Sequence, residues 1–272
     1  MKKLGIIAGA GALPICLVQA CEQLKRPYFV VGLKGCLEKG ALPKGAPISW
    51  IRLGAIGKGL KLLKKNGAEE VVMIGAVKRP SFTGILPDWR CLKLLLKHGK
   101  KALGDDALLK ILIKEIESDG FKVVGIDEIL PHLLIKKGVY GRMIPTAQDT
   151  VDIKRGVQVA RKLGEVDVGQ AVIVQQGLVL AVEGIEGTDA LIHRSKALRR
   201  KGGRGVLVKA AKPQQDRRAD LPTIGPNTVQ SVAEAGLAGI AVQADSVLFS
   251  EAEKAIKLAN QLGIFIIGVE IK

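Results

Sequence analysis

Aromatic side chains are scarce in this chain: two Trp, two Tyr and five Phe among 272 residues. Single-stranded nucleic acid is held largely by stacking bases on such rings. Stacking platforms are therefore scarce, and no helix-turn-helix, zinc-finger or RNP pattern takes their place. Histidine occurs three times, too few for a histidine-rich zinc centre and a poor basis for a histidine-centred triad. The four cysteines, at 16, 21, 36 and 91, form no C-x-x-C pair. Reduced thiols packed as small apolar residues of a cytosolic protein are the expectation. Long apolar runs are also missing. The uncharged stretch from Leu4 to Cys21 is broken by Gly5, Gly9, Gly11 and Pro14, and no other segment approaches a membrane span.

That opening stretch admits two readings. Lys2 and Lys3 followed by apolar residues imitate a secretory n-region, and Val18-Gln19-Ala20-Cys21 loosely imitates a lipoprotein cleavage box. The glycines and proline, which disfavour a helical h-region, count against export. Leu4 to Ala8 reads better as a buried strand, Gly9-Ala10-Gly11 as a tight turn, and Pro14 as a first-turn proline of a helix reaching about Lys25. Tyr28 to Leu33 then completes a βαβ unit. A mature N-terminus in the cytoplasm is expected.

Negative charge is in deficit. The formal net charge is +16, and residues 1–137 carry 24 Lys and Arg against 12 Asp and Glu, a net +12. Such an excess draws a protein toward phosphorylated metabolites or an acidic membrane surface, with nucleic acid the weakest candidate. Between Trp89 and Leu103, Leu92, Leu95, Leu96 and Leu103 fall on one helical face, while Lys93, Lys97, Lys100 and Lys101 lie elsewhere on the cylinder. The plain reading is an amphipathic helix covering a sheet. The alternative is a surface helix resting on anionic headgroups.

Strands alternate with helices along the first half: strands at Ile48–Leu53, Glu70–Gly75 and Phe121–Gly125, helices at Gly57–Asn66 and from Gly104-Asp105-Asp106 to Ser118. This pattern predicts an α/β fold of two domains. Residues 1–137 form a Rossmann-like parallel sheet with helices on both faces. Residues 138–272 are expected to form a second α/β domain, and the boundary falls in the connector Ile135–Gly141. In the second domain, helices are expected at 149–164, 188–201, 227–235 and 250–262, and strands at 170–175, 179–183, 205–209, 240–243 and 264–269. Ligands of such sheets bind beyond the carboxyl ends of the strands, where Gly9–Gly11 and Gly75–Arg79 would lie.

The run Gly9-Ala10-Gly11-Ala12-Leu13-Pro14 invites a dinucleotide reading and fails it twice. Pro14 replaces the third glycine, and Gly32-Leu33-Lys34-Gly35 ends the second strand without a ribose-binding carboxylate. A nicotinamide-dependent oxidoreductase is thereby disfavoured; a phosphate-cradling turn and a tight turn without ligand both stay open. In the second domain, polar residues crowd strand ends and loops: Asp167 to Gln170, Glu183 to Asp189, and Lys209 to Pro226. Taken singly, each is a cap or a surface ion pair; as a set they suggest a site. Mg²⁺ needs only one or two protein carboxylates beside phosphate oxygens and water. Lys and Arg beside them would neutralise phosphate as a P–O bond breaks.

These segments carry a resemblance. VEGIEGTDALI and KPQQDRRADLPTIGPNT, with IIAGAGALP, IGAVKRP and GDDALLK, resemble the UDP-2,3-diacylglucosamine pyrophosphatases of the LpxI type over essentially the whole chain. The resemblance implies a Mg²⁺-dependent hydrolase of lipid A biosynthesis, with water attacking the α-phosphate to give UMP and 2,3-diacylglucosamine 1-phosphate. It also implies a substrate held between the two domains and an essential aspartate in the second. By motif, that aspartate is Asp216 or Asp220, with Asp220 favoured by the rigid Asp-Leu-Pro turn. On this basis Asp216 and Asp220 with Glu183 and Glu186 are the expected metal ligands, and Lys209 and Arg217 neutralise the diphosphate. Gly9, Ala10, Gly11, Leu13, Gly75, Lys78, Arg79, Gln170, Thr188, Asp189, Thr223 and Gly225 are expected to bind substrate. Peripheral association with the anionic inner membrane follows from the acyl chains. A homodimer, and a non-catalytic nucleotide- or lipid-binding role, remain open.

Overall fold

Five apolar residues in an extended run need cover on both faces, and a parallel sheet supplies it. Leu4–Ala8 is such a strand, β1, with Leu4, Ile6 and Ala8 fully buried. The computed structural model describes residues 1–77, 87–99 and 105–271. These form two units, Met1–Pro131 with Asp216–Asp220, and His132–Gln215 with Leu221–Lys272.

In the first unit β1 leads to α1 (Ala12–Gln23), β2 (Tyr28–Leu33), β3 (Ile48–Ile51), α2 (Ile56–Lys65), β4 (Glu70–Ile74), α3 (Trp89–His98), α4 (Asp105–Ser118), β5 (Lys122–Val123) and α5 (Ile126–Ile129). The five strands are parallel in the order β3-β2-β1-β4-β5, the Rossmann arrangement the alternating pattern predicts. Side chains alternate across the sheet. Phe29, Val31 and Leu33 of β2, with Val71 and Val123, pack against Leu60 and Leu63 of α2 and Ile113 and Ile116 of α4. Ala219, from far along the chain, joins that cluster.

The helix α3 departs from expectation. Only Cys91 is buried, whereas Trp89 is 77% and Leu96 74% exposed, with Leu92 and Leu95 exposed beside them. Periodicity located the helix, but its leucine face is not the one that covers the sheet. Arg90 decides the orientation: its guanidinium bonds Glu115 and both carboxylate oxygens of Asp119 on and just beyond α4. Asp88 caps the helix through the Cys91 N–H. Leu103, Lys100 and Lys101 lie outside the described residues.

The second unit runs β6 (Gly138–Tyr140), α6 (Ala147–Glu165), β7 (Ala171–Gln175), β8 (Leu178–Val182), α7 (Thr188–Ser195), β9 (Val206–Lys209), β10 (Thr223–Ile224), α8 (Pro226–Glu234), β11 (Gly239–Gln243), β12 (Leu248–Phe249), α9 (Ala252–Leu262) and β13 (Phe265–Val269). Its six-stranded sheet has the order β6-β13-β11-β9-β7-β8. The centre is parallel; β6, β7 and β8 are antiparallel additions. Leu207, Ile173, Ile240 and Ile266 face α7, α8 and α9. Val206, Val208 and Ala241 face the Ile153 side of α6. The stretch expected as a connector holds β6, which pairs with the terminal strand at Tyr140↔Ile266. The helix expected over 188–201 ends at Ser195 and continues as a 3-10 turn to Leu198.

Candidate active site

In the first unit two glycines have a packing reason, Gly9 of the glycine turn and Gly75 just after β4. Ala10 exchanges N–H···O=C bonds with Ala76, 2.8 and 2.9 Å long, which ties the end of β1 to the end of β4. A Cβ on Gly9 would sit 2.6 Å from the Ala76 carbonyl oxygen, and one on Gly75, at φ 94°, 2.7 Å from that of Ala10. Gly11 is different. It is the residue before α1 at φ 99°, with open space where a Cβ would be and no side chain capping the helix. Leu13 is half-buried in the first turn. Lys78 and Arg79 lie outside the described residues.

The segment Asp216–Asp220 is built into this same unit. Arg218 clasps Asp216 (2.8 Å between Nη2 and Oδ2) and reaches Glu117 on α4 (2.8 Å). Arg217 bonds Asp127 on α5 (2.9 Å). The Arg218 guanidinium holds the Asp216 carboxyl below the usual carboxylate range. Asp216 is thus occupied in fastening its loop. Asp220 stands half-buried at the end of the turn that Asp216 closes, its N–H donating to the Asp216 carbonyl.

The second unit carries a polar cluster at one rim of its sheet, and strand direction explains it. Lys209 ends β9, and Ala171, which starts the antiparallel β7, is its register partner. Glu183 directly follows β8, which runs antiparallel to β7. Lys209, Gln170 and Glu183 therefore emerge together. Thr188, the first residue of α7, links them: its hydroxyl donates to Glu183 Oε1 (2.7 Å) and accepts from Lys209 Nζ (3.1 Å). Lys209 also donates to the Thr223 carbonyl (3.2 Å), and the Gln170 N–H donates to Glu183 Oε2 (3.0 Å). Glu183 and Lys209 are each 6% exposed. A buried ammonium and carboxylate persist only with such partners. One group lacks them: the Gln170 amide oxygen is buried without a hydrogen bond, an acceptor of the kind a ligand satisfies.

The remaining expected residues of this unit are Glu186, Asp189 and Gly225. Glu186 is exposed and bound by Arg194 (2.8 Å), which lowers its carboxyl below the ordinary range. Asp189 is exposed in the first turn of α7. Gly225 precedes α8 without a side chain to cap it; its N–H donates to Thr228 Oγ1 at 3.4 Å. Among the described residues no three His, Cys, Asp or Glu side chains group to hold a metal ion. Glu183, Glu186 and Asp216 already hold protein donors. Mg²⁺ takes only one or two protein carboxylates and completes its shell with water and phosphate oxygens, and the half-buried carboxylate of Asp220 is of that donor type.

Residues 3–133 match the LpxI N-terminal domain and residues 136–267 the LpxI C-terminal domain. The chain belongs to the LpxI family. It is 40% identical, over 99% of its length and 98% of the relative's, to the UDP-2,3-diacylglucosamine pyrophosphatase LpxI of Caulobacter vibrioides. Within this LpxI frame, Gln170 gave a sequence signal only as part of a polar strand end; its orphaned oxygen is a feature of the packed chain. Among the described residues no helix is long and apolar enough to cross a membrane.

Proposed function

We propose that this chain hydrolyses the diphosphate of UDP-2,3-diacylglucosamine, in lipid A biosynthesis, by water attack at the α-phosphate. The new P–O bond forms on the uridylyl phosphorus as the bond from that phosphorus to the bridging oxygen breaks. The bridging oxygen leaves with the β-phosphate, giving UMP and 2,3-diacylglucosamine 1-phosphate. What carries the reading is a family member's full-length identity together with a buried lysine, Lys209, held at a strand-end rim by Thr188 and Thr223.

Asp220 accepts a proton from the attacking water or orients it, and it is the carboxylate that would hold Mg²⁺. The ion, when bound, supplies positive charge to the phosphates and acidifies water. Lys209 holds positive charge against the diphosphate, where such charge gains most as the leaving oxygen develops its own. Glu183 fixes Thr188 and with it the direction of Lys209. Gln170 accepts a hydrogen bond from substrate, and the turn at Gly11 with the N–H groups of α1 receives nucleotide phosphate. The acyl chains keep the substrate in a lipid layer, so the enzyme works peripherally at the cytoplasmic face of the inner membrane.

Reaction in ¹⁸O-water is expected to place the label in UMP; label in the lipid phosphate would overturn attack at the α-phosphate. Asp220→Ala should lower UMP release by about 10³-fold or more, on the scale of losing a group that acts in the transition state. Near-normal turnover would remove Asp220 from the reaction. Treatment with EDTA should abolish turnover and added Mg²⁺ restore it, whereas an EDTA-resistant rate would exclude the ion's role.

A further inference from the structure

The outward face of α3 is not used by any of the chemistry above. On a helical wheel at 100° per residue, Leu95, Leu92, Leu96 and Trp89 occupy adjacent positions at 240°, 300°, 340° and 0°, followed by Lys93 and Lys97 at 40° and 80°. All six are exposed. The opposite side, with Cys91 and the half-buried Leu94 and His98, is the one that packs. Arg90 bolts that side to Glu115 and Asp119, and Asp88 binds the Lys58 N–H at the start of α2. The helix is thus rigidly mounted with a tryptophan and three leucines turned to solvent.

We propose that α3 is a docking surface for an anionic lipid layer. The Leu95–Leu92–Leu96–Trp89 stripe enters the boundary between headgroups and acyl chains, and Lys93 and Lys97 lie among the lipid phosphates. Three observations select this occupant. The stripe is amphipathic at the helical period with basic residues along its edge, the pattern of interfacial helices. Tryptophan at its margin is the residue that settles at headgroup depth. The neighbouring α2, which packs on α3, carries Lys58, Lys61, Lys64 and Lys65, all exposed, and the half of the chain to which both belong has a net charge of +12, 24 basic residues against 12 acidic. An acidic surface complements this field. The assignment deepens the membrane-surface part of the function proposed above, and its test needs no turnover.

The full chain with Trp50→Phe retains Trp89 as its one tryptophan. With vesicles of phosphatidylglycerol and phosphatidylethanolamine, Trp89 emission should shift to the blue and be quenched by brominated acyl chains. Phosphatidylcholine vesicles should give neither effect. In sedimentation with anionic vesicles, W89S/L96S should bind at least tenfold more weakly, and K93Q/K97Q roughly tenfold more weakly and with less salt dependence. The exposed pair K154Q/K257Q on α6 and α9 should bind as the parent does. Unchanged thermal melting by circular dichroism checks that the variants fold. Equal vesicle binding by W89S/L96S, or an unshifted Trp89 in sedimented protein, would overturn the proposal. So would a stripe whose loss changes only the mass in solution, which would make it a contact between copies. Failure here with Asp220→Ala still inactive would leave the proposed reaction standing.

Discussion

Asp216 and Asp220 stand four residues apart and do different work. Asp216 has both oxygens on Arg218, and this pairing depresses its pKa. A depressed carboxylate contributes stability that is present above the unfolded value, about 4, and is lost as pH falls through the lower folded value. Asp119, lowered by Arg90, acts in the same sense. Acid titration followed by fluorescence should therefore show parent stability falling below about pH 4, with Asp216→Asn less stable at neutral pH and flatter in that acid window. An unchanged acid limb in Asp216→Asn would mean that the pair contributes nothing. The motif alone could not separate the two aspartates, because the Arg218 side chain that distinguishes them is set by Glu117, 101 residues away.

At the scale of elements, buried strands were legible because their signal is local. Leu4–Ala8 and Glu70–Ile74 are apolar runs whatever surrounds them, and both became inner strands of a parallel sheet. Short elements were not legible: β6, β10 and β12 exist only through partners distant in sequence, such as β13 for β6. The direction of α3 was equally hidden, since periodicity defines an apolar stripe and says nothing of which side finds a neighbour. The glycine turn makes a test of element packing. Gly75→Ala combines a positive φ with contact against the Ala10 carbonyl and should cost roughly 2–4 kcal/mol by urea denaturation. Gly11→Ala carries the backbone strain alone, into open space, and should cost about 1 kcal/mol. Equal losses in the two variants would show that the close approach of the β1 and β4 ends is not tight.

For the whole molecule, the rim cluster was half-visible in advance. Glu183, Thr188 and Lys209 stood out as polar residues at strand ends and in the loop between, but their convergence depends on β7 pairing antiparallel with β9 and β8 antiparallel with β7, which alternation of strands and helices does not reveal. The order of segments misleads in another way. Asp216–Asp220 belongs to the first unit, where Ala219 joins the core and Arg217 and Arg218 bond Asp127 and Glu117. A fragment ending at residue 131 should then melt at a lower temperature than the same unit within the intact chain, and a peptide covering 216–220 fused to its end should recover part of the difference. Identical melting of the short fragment would deny the segment any structural share.

That five-residue loan has a genetic corollary. A gene cut between residues 131 and 132 would produce a leading piece with a hole in its own wall, and the trailing piece would carry away the plug. Exchanging halves between relatives would succeed only when the plug travels with the wall it was shaped to fill.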